Sequence, residues 1–500
     1  MIPNTLPYYV FIRISLWAVL SITPASAAYC LARALGYGAT LLLPWPLQVF
    51  ALCEVLFYVG VSLPRQWMLN RSSPTVVQRS RQEREALFDK SLASTPDLDT
   101  FLSVWFRGAP PDSICRDDYK DFLAWAFFYQ TSAAACDTDE LDAYVHRMEE
   151  AMGRVFPAGR GPRRPSQVST DPLRLQHKPL VLYLLAIGTD DILTYAKARL
   201  LGLQHYRLPL RDFFTVFPLR PHTLFTRHTS PSSHVSYWHR PHTSPTRLPV
   251  LFIHGIGAGL RTYIGFLADF IAADVAADGQ TGVIALELMP ISMRVTREML
   301  PREEMLAEIL AILDHHGWDR FAVMGHSYGT ILATHLLQHL ESGGRVGPLL
   351  LVDPVTFSMQ WGDIPYNFIY RQPHKASEWQ LHYFASTDMG AAHSITRRFD
   401  WTVNVLWREE LKGRTVTVVL AGRDIILDTR ALQSYLAADE ELSPHVFDAK
   451  DLPASGRRDA REGLDIVWYD DLNHAEVFES AAAWRPLVPI LHSYCEVAYE

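Results

Sequence analysis

The sequence predicts an α/β protein in which a mostly parallel sheet carries helices on both faces. From about residue 248 onward, short apolar runs typical of buried strands alternate with longer helical patterns. Such alternation is typical of parallel strands joined by crossover helices. A second observation is the segment 321–340, where an apolar run leads into Gly325-His326-Ser327-Tyr328-Gly329 and a helical pattern follows. The segment 321–340 is therefore expected to be a strand, a sharp turn and a helix inside that sheet.

The turn has the spacing G-x-S-x-G. A serine on a sharp strand-to-helix turn needs neighbours without side chains, and Gly325 and Gly329 meet that need. The helix that begins after Ser327 directs backbone N–H groups toward any oxyanion formed at the serine. The pattern therefore predicts Ser327 as a nucleophile.

A nucleophilic serine requires two partners, because its hydroxyl is a weak nucleophile at neutral pH. It needs a histidine base and a carboxylate that orients the base, in the chain order serine, acid, histidine for this kind of turn. Asp424 and His474 each follow a strand-like run in that order. Asp353 also follows such a run, and Asp428 lies one turn beyond Asp424, so both remain alternatives for the acid.

A glycine-rich loop follows the strand-like run 248–253. Gly255 and Gly257 let the backbone turn closely behind the nucleophile, so the amides of Ile256 and Tyr328 are expected to hold the developing oxyanion. A phosphate-binding role is disfavoured, because the loop lacks both G-x-G-x-x-G and the Lys-Ser/Thr of a Walker motif.

These four motifs, in this order, resemble the α/β-hydrolase superfamily over roughly residues 206–500. The resemblance implies an α/β-hydrolase fold and a Ser327–Asp424–His474 triad. The motif Trp105-Phe106-Arg107-Gly108-Ala109-Pro110, with the apolar N-terminal segments, resembles an uncharacterised fungal membrane-associated group, which does not specify a substrate. Between two predicted strands lies an aromatic-rich segment, about 355–413, whose length and position indicate a cap that favours an apolar acyl chain.

Composition excludes several function classes. The chain is 48% hydrophobic and 12% aromatic, which is enough to bury a large core. A net charge of −8 and a pI near 6.2 argue against a nucleic-acid surface. The five cysteines are scattered, and the histidine-rich stretch 222–242 lacks H-E-x-x-H spacing. No metal or organic cofactor is therefore implied.

Residues 1–64 are the most apolar part of the chain and predict a membrane anchor of two segments or a hairpin. The two runs, separated by Arg33, are each near the length of a bilayer-crossing helix. A cleaved signal peptide with a site near 25–27 is the alternative. It is disfavoured because the first basic residue, Arg13, already lies in the apolar stretch and a second apolar run follows. Five arginines after the second run place the rest of the chain in the cytosol, namely Arg65, Arg71, Arg79, Arg81 and Arg84.

The expected organisation is an anchor at 1–64, a helical region at 65–205 with a linker near 156–170, and a catalytic domain at 206–500. The expected function is a membrane-anchored serine hydrolase that cleaves a carboxylic ester, foremost a lipid, on the endoplasmic reticulum or a lipid droplet. An acyltransferase that uses the same acyl-enzyme, and a non-catalytic membrane binding module, are the alternatives. The oligomeric state is left open.

Overall fold

A ten-stranded sheet forms the centre of the protein. The computed structural model describes residues 1–37, 43–72, 77–340, 344–452 and 463–496, with the backbone alone at 186, 187 and 190. The strands are β1 (Gln204–Arg207), β2 (His228–Thr229), β3 (Ser236–Arg240), β4 (Val250–Ile253), β5 (Val283–Glu287), β6 (Phe321–His326), β7 (Val346–Val352), β8 (Thr415–Ala421), β9 (His445–Asp448) and β10 (Gly463–Tyr469). Their spatial order is β2-β1-β3-β5-β4-β6-β7-β8-β10-β9.

Helices precede, connect and follow the strands, with short 3₁₀ and π turns between them. The α-helices are α1 (Leu6–Ala34), α2 (Trp45–Phe57), α3 (Leu63–Arg71), α4 (Arg81–Ser94), α5 (Leu98–Trp105), α6 (Arg116–Phe128), α7 (Thr138–Met152), α8 (Gly188–Leu200), α9 (Ile264–Ala277), α10 (Arg302–His315), α11 (Gly329–His339), α12 (Asp363–Pro365), α13 (Ala376–Leu381), α14 (Met389–Arg397), α15 (Trp401–Asn404), α16 (Thr429–Ala437), α17 (Ala481–Trp484) and α18 (Leu487–Cys495).

The sheet is parallel from β5 across to β9, and β3 is the strand that runs antiparallel to its neighbours β1 and β5. Alternate residues of one strand enter different cores. In β4, Leu251 and Ile253 join one cluster, while Val250 and Phe252 join the other. Each face of the sheet is therefore buried under helices, as parallel sheets require. The predicted α/β class, with a mostly parallel sheet and helices on both faces, is confirmed.

One local prediction differs from the structure. The sequence predicts a strand over the run 214–225, but this run forms 3₁₀ turns at Leu210–Thr215 and Pro221–Phe225. Pro218 and Pro221 explain the difference, because a proline offers no N–H to a strand ladder. The charged segment 437–463, expected to be an exposed insertion, contributes the edge strand β9; residues 453–462 of that segment lie outside the described residues.

Helices α4–α7 pack against the segment 355–413 through three buried tryptophans. Each indole N–H donates to a backbone carbonyl across the junction: Trp105 to Gln360 at 3.0 Å, Trp361 to Ser94 at 3.1 Å, and Trp401 to Ala126 at 3.2 Å. The motif 105–110 lies at this junction. A Cβ on Gly362, whose φ is +85°, would lie 2.6 Å from the Trp105 ring, so this position needs glycine.

The apolar N-terminal residues form two helices long and apolar enough to cross a membrane, Leu6–Ala34 and the continuous stretch Trp45–Arg71. They pack against each other and against the domain. Thr23 donates to the buried carboxylate of Glu54 at 2.5 Å, and the same carboxylate accepts the Leu180 N–H at 2.7 Å. Glu54 therefore joins both helices to the rest of the protein.

Candidate active site

Ser327 lies on the turn between β6 and α11, with a φ of +50°. A side chain on either flanking glycine would collide with the backbone. A Cβ on Gly329 would lie 2.2 Å from the carbonyl oxygen of Ile253, and one on Gly325 would lie 3.1 Å from that of Gly329. The close approach of β4 therefore requires glycine at 329, and the close approach of the start of α11 favours glycine at 325. The left-handed turn is the kind of local strain that a functional site retains.

Three side chains that are far apart in sequence form one hydrogen-bonded series at this turn. The Oγ of Ser327 lies 2.9 Å from Nε2 of His474, and Nδ1 of His474 lies 2.7 Å from Oδ2 of Asp424. The three residues follow β6, β8 and β10, whose carboxyl ends meet at one edge of the parallel sheet. Asp353 and Asp428 do not occupy the place of Asp424: Asp428 caps α16 by accepting the Ala431 N–H at 3.0 Å.

The backbone fixes the carboxylate of Asp424 in place. Its Oδ1 accepts the N–H groups of Ile426 at 2.7 Å and Leu427 at 3.0 Å, which leaves Oδ2 for the histidine. Burial disfavours the imidazolium of His474, but the charge of Asp424 and its hydrogen bond outweigh burial and raise the pKa of His474 to about 8. His474 is thus a base whose proton affinity suits exchange with a serine hydroxyl near neutral pH.

A second buried series lies behind the nucleophile and was not anticipated from the sequence. The Tyr263 hydroxyl accepts the Gly255 N–H at 3.1 Å and lies 2.7 Å from Nδ1 of His326. Nε2 of the same ring lies 3.5 Å from Oδ2 of Asp353.

Asp353 continues this series to the histidine loop. Its Oδ2 accepts the N–H of Ala475 at 2.7 Å, and its own φ is +43°. Burial opposes the charge, but the adjacent imidazole rings of His326 and His474 hold the pKa of Asp353 below its ordinary value. The series joins the glycine loop at Gly255 to the residue that follows His474. Asp353 therefore positions the loop that carries His474.

The glycine loop lies directly against the nucleophile. A Cβ on Gly255 would lie 2.8 Å from the His326 ring and 2.9 Å from the Cβ of Ser327, so this residue must be glycine. Gly257, with a φ of +153°, donates its N–H to Ile291 at 3.0 Å and anchors the loop. Ile256 and Tyr328 line the same cavity as Ser327. That their amides hold an oxyanion at the serine stays a prediction from the sequence.

The cavity at Ser327 has a volume of about 510 Å³, its open mouth included, and its wall is almost wholly apolar. Elements after β7 supply most of that wall, namely Val355, Met359, Ile364, Phe368, Ile395 and Phe399. The polar side chains at the wall besides Ser327 are Ser394, Asn404 and the Tyr328 phenol. A cavity of this character accommodates a hydrocarbon chain rather than a polar group.

A larger cavity of about 670 Å³ lies beside residues 258–261 of the glycine loop. Its wall includes Asp191, Glu287 and Arg294, which form one network of ion pairs with Arg220. Arg220 donates to Glu287 and Asp191 at 2.8 Å each, and Arg294 lies 3.0 Å from Asp191. Burial raises the pKa of Asp191, but the charges of Arg220 and Arg294 outweigh burial and hold this pKa well below its ordinary value. This network is a structural joint between α8 and the strands β3 and β5.

Histidines of the stretch 222–242 are likewise engaged by neighbouring side chains. His222 lies 3.2 Å from Asp191, His234 pairs with Glu308 at 3.0 Å, and His239 stacks on the ring of His316. Among the residues that the structure describes, one group of three side chains has donor atoms close enough to hold a metal ion, namely Asp353, Asp424 and His474. The hydrogen bonds above already engage the donors of these three residues.

Comparison with known proteins adds the following. Residues 249–389 match the family described as alpha/beta hydrolase fold. A search of curated proteins found no match. Among solved structures, a membrane phospholipase A described as a bacterial virulence factor is 14% identical, covering 62% of this chain and 93% of its own, with a TM-score of 0.38.

Two further solved structures are esterases by their names. A carboxylesterase of Nitrososphaera gargenis is 15% identical, covering 53% of this chain and 97% of its own, with a TM-score of 0.35. Naproxen esterase of Bacillus subtilis is 12% identical, covering 59% and 94% respectively, with a TM-score of 0.33. The family match at 249–389, the strand order and the turn at Ser327 together identify the fold of this chain as the α/β-hydrolase fold.

Proposed function

We propose that this protein is a membrane-anchored serine hydrolase of the α/β-hydrolase superfamily that cleaves a carboxylic ester. The observation that carries the proposal is the series Ser327–His474–Asp424, held by hydrogen bonds of 2.9 and 2.7 Å on a left-handed turn that faces an apolar cavity. A satisfied core histidine would not need a serine from a strained turn as its second partner. This combination is the one that nucleophilic catalysis requires.

The geometry supports a two-step reaction. Ser327 Oγ attacks the ester carbonyl while His474 Nε2 accepts the hydroxyl proton, and Asp424 stabilises the imidazolium. The amides of Ile256 and Tyr328 stabilise the oxyanion, and each such donor is worth roughly 2.7–4 kcal/mol. His474 then returns the proton to the departing alcohol, which leaves an acyl group on Ser327. A water molecule, deprotonated by His474, releases the acid and regenerates the serine.

The acyl part of the substrate is proposed to be a hydrocarbon chain, because the wall of the cavity at Ser327 is almost wholly apolar. The segment that supplies this wall also contacts the N-terminal helices: Ala376 and Tyr383 pack against Ile12 and Leu16 of α1. A lipid ester is therefore the proposed substrate, and the membrane is the proposed source of that lipid.

The proposed location is the cytosolic side of a membrane, such as the endoplasmic reticulum or a lipid droplet. It is supported by two helices of sufficient length and apolarity and by the arginines that follow the second one. The motif 105–110 leads us to propose kinship with a fungal membrane-associated group of the superfamily.

A fluorophosphonate probe tests the chemistry, because it reacts with an activated serine. The full-length protein should be labelled and should hydrolyse p-nitrophenyl esters, whereas Ser327→Ala should do neither. Ser394→Ala is the matched control, since Ser394 lines the same cavity but donates its hydroxyl to the Gly390 carbonyl at 2.8 Å. A Ser327→Ala variant that is labelled and active like the unaltered protein would refute the proposal. An unaltered protein that neither labels nor turns over any ester would favour a non-catalytic binding module.

Extraction tests the location separately. High salt and alkaline carbonate should leave the full-length protein in the membrane pellet, and a tag at Glu500 should be open to protease in intact microsomes. Asn70, within the sequon Asn70-Arg71-Ser72, should remain unglycosylated. A secreted product whose mature N-terminus lies near Ala28 would show instead that the first apolar run is a signal peptide.

A further inference from the structure

The catalytic domain exposes large apolar side chains beside the N-terminal helices. Phe214 and Phe225 are 79% and 87% exposed, on the turns where the sequence suggests a strand. Together with exposed leucines and isoleucines from the π turn Leu182–Ile187 and from α8, they define what we call the apolar face: Leu184, Leu185, Ile192, Leu193, Phe214 and Phe225. Exposed apolar groups of this size, concentrated within residues 184–225, mark a surface that binds something.

The elements that carry the apolar face pack together as one unit. The Tyr195 hydroxyl on α8 lies 2.7 Å from the Thr226 hydroxyl, next to Phe225. The Tyr195 ring also lies 4.7 Å from the His222 ring on the turn that Phe225 ends. The apolar face is therefore held by polar contacts beneath it and is not a set of loose loops.

The apolar face continues the surface of the N-terminal helices. The ring of Phe57, at the end of α2, lies 5.6 Å from the Tyr183 ring and 5.3 Å from the Phe217 ring, between centroids. Tyr183 precedes Leu184, and Phe217 follows Phe214 by three positions. Leu182 packs with the cluster that contains Ile12 and Leu16 of α1. The helices and the apolar face are thus adjoining parts of one surface.

The lengths of the helices fix how deep this surface lies. Glu54 is fully buried and accepts the Leu180 N–H, so the level of Glu54 and Thr23 is the level at which the helices meet the domain. Beyond that level α1 extends about 16 Å and α2 about 13 Å, at about 1.5 Å per residue. The hydrocarbon core of a bilayer is about 30 Å thick, so these projections match one leaflet. A hairpin immersed to its tip therefore brings the domain surface at Tyr183 and Phe217 down to the lipid.

We propose that the apolar face inserts into the same leaflet as the helical hairpin, so that the catalytic domain itself binds the bilayer surface. This inference rests on the membrane location proposed above, and it adds a second lipid-contacting surface that is independent of the anchor helices. Exposed basic side chains flank the apolar face and fit the anionic head groups of a cytosolic leaflet, namely Lys197, Arg199, Arg211 and Arg227.

Depth measurement on the full-length chain tests the proposal. Cys30, Cys53, Cys115 and Cys136 are replaced by alanine, and a nitroxide is attached to one new cysteine at a time in vesicles of phosphatidylcholine and phosphatidylserine. Phe225→Cys and Phe214→Cys report on the apolar face, and Leu47→Cys, 51% exposed on the projecting part of α2, reports on the anchor. Val446→Cys is the control, because Val446 is 44% exposed on β9, at the opposite edge of the sheet from β1 and β2.

The measured quantity is the ratio of oxygen collisions to collisions with a water-soluble nickel chelate. Labels at 225, 214 and 47 should favour oxygen several-fold, and the label at 446 should favour nickel. Labels at 225 and 214 that behave like the label at 446, while the label at 47 stays in lipid, would overturn the apolar face and leave the anchor standing. A label at 47 in water would overturn the membrane location, and this inference with it. The two labels on the apolar face occupy exposed positions on separate turns, so a local defect at one does not decide the result.

Discussion

Replacing Asp424 by asparagine should abolish most of the activity through the tautomer of His474. Oδ1 of Asp424 accepts two backbone N–H groups, from Ile426 and Leu427. An asparagine must keep its carbonyl oxygen on that side, because its NH₂ group cannot accept. Its NH₂ group then points at Nδ1 of His474, 2.7 Å away in the native pair. Nδ1 becomes an acceptor, the ring proton moves to Nε2, and Nε2 can no longer take the proton of Ser327.

The magnitude follows from this loss of the base. An imidazole held in the wrong tautomer lowers kcat about 10⁴-fold in a comparable triad, which corresponds to about 5.4 kcal/mol. The charge of Asp424 also raises the pKa of His474, so any residual activity should show its pH midpoint below that of the unaltered protein. Structure should be preserved, because the two backbone N–H groups keep an acceptor.

The assay is steady-state hydrolysis of p-nitrophenyl butyrate by full-length protein in detergent, with the rate of fluorophosphonate labelling as a second measure. Asp353→Asn is the control. Its carbonyl oxygen can still accept the Ala475 N–H, so activity should remain within about tenfold of the unaltered rate. An Asp424→Asn variant within tenfold of the unaltered rate, or an Asp353→Asn variant more impaired than Asp424→Asn, would refute the assignment of the acid.

Three further predictions concern pH and stability. Burial lowers the pKa of His474, but Asp424 outweighs burial and raises this pKa to about 8. Because the base must be unprotonated, kcat/KM should rise from pH 6 to 9 with a midpoint near 8, and a flat profile would contradict a histidine base. Gly329→Ala should prevent folding or lower the free energy of unfolding by about 3 kcal/mol, because its Cβ would meet the Ile253 carbonyl oxygen at 2.2 Å. Gly60→Ala is the control: a Cβ at residue 60 would have no atom within 4 Å, so the melting temperature should not shift. Burial raises the pKa of Asp363 to about 7, above its unfolded value, so its contribution to stability is full below pH 4 and is lost as pH rises through 7. The free energy of unfolding should fall by about 3 kcal/mol from this group between pH 5 and pH 8, and Asp363→Asn should remove that part of the fall. Denaturant titrations in which both proteins lose the same free energy of unfolding between the two pH values would contradict this.

The sequence predicts the sheet and the order of Ser327, Asp424 and His474 for one physical reason. Strands of a parallel sheet end at the same edge, so polar residues that directly follow buried strands must converge there, however distant they are in the chain. Hydrophobic periodicity locates the strands, and the order along the chain assigns the roles of nucleophile, acid and base to the residues that follow them. The glycines at 325 and 329 are equally predictable, because a sharp strand-to-helix turn brings the backbone of β4 close to residue 329 and the start of α11 close to residue 325.

The second series could not be predicted from the sequence. Asp353 also follows a strand, but it accepts the Ala475 N–H instead of orienting the imidazole of His474. It does so with a backbone φ of +43°, which the sequence pattern does not reveal. Tyr263 and His326 belong to a helix-like run and to a variable motif position, where neither spacing nor periodicity distinguishes a hydrogen-bonded group from core. The paired charges of Arg220 and Glu287 are 67 residues apart and follow no motif. Contacts of this kind depend on register and side-chain direction.

The tryptophans that join α4–α7 to the segment 355–413 have a consequence for synthesis of the protein. Trp105 and Gln360 are 255 residues apart, and Trp401 and Ala126 are 275 apart. At about 5–20 residues per second, a ribosome needs roughly 13–55 s to supply the second partner after the first. During that interval the aromatic side of α5 and α6 has no cover, the Trp105 indole N–H lacks its acceptor on Gln360, and the Ala126 carbonyl lacks its donor on Trp401. We therefore expect the nascent chain to require a chaperone until residue 401 has emerged, even though each helix can form earlier.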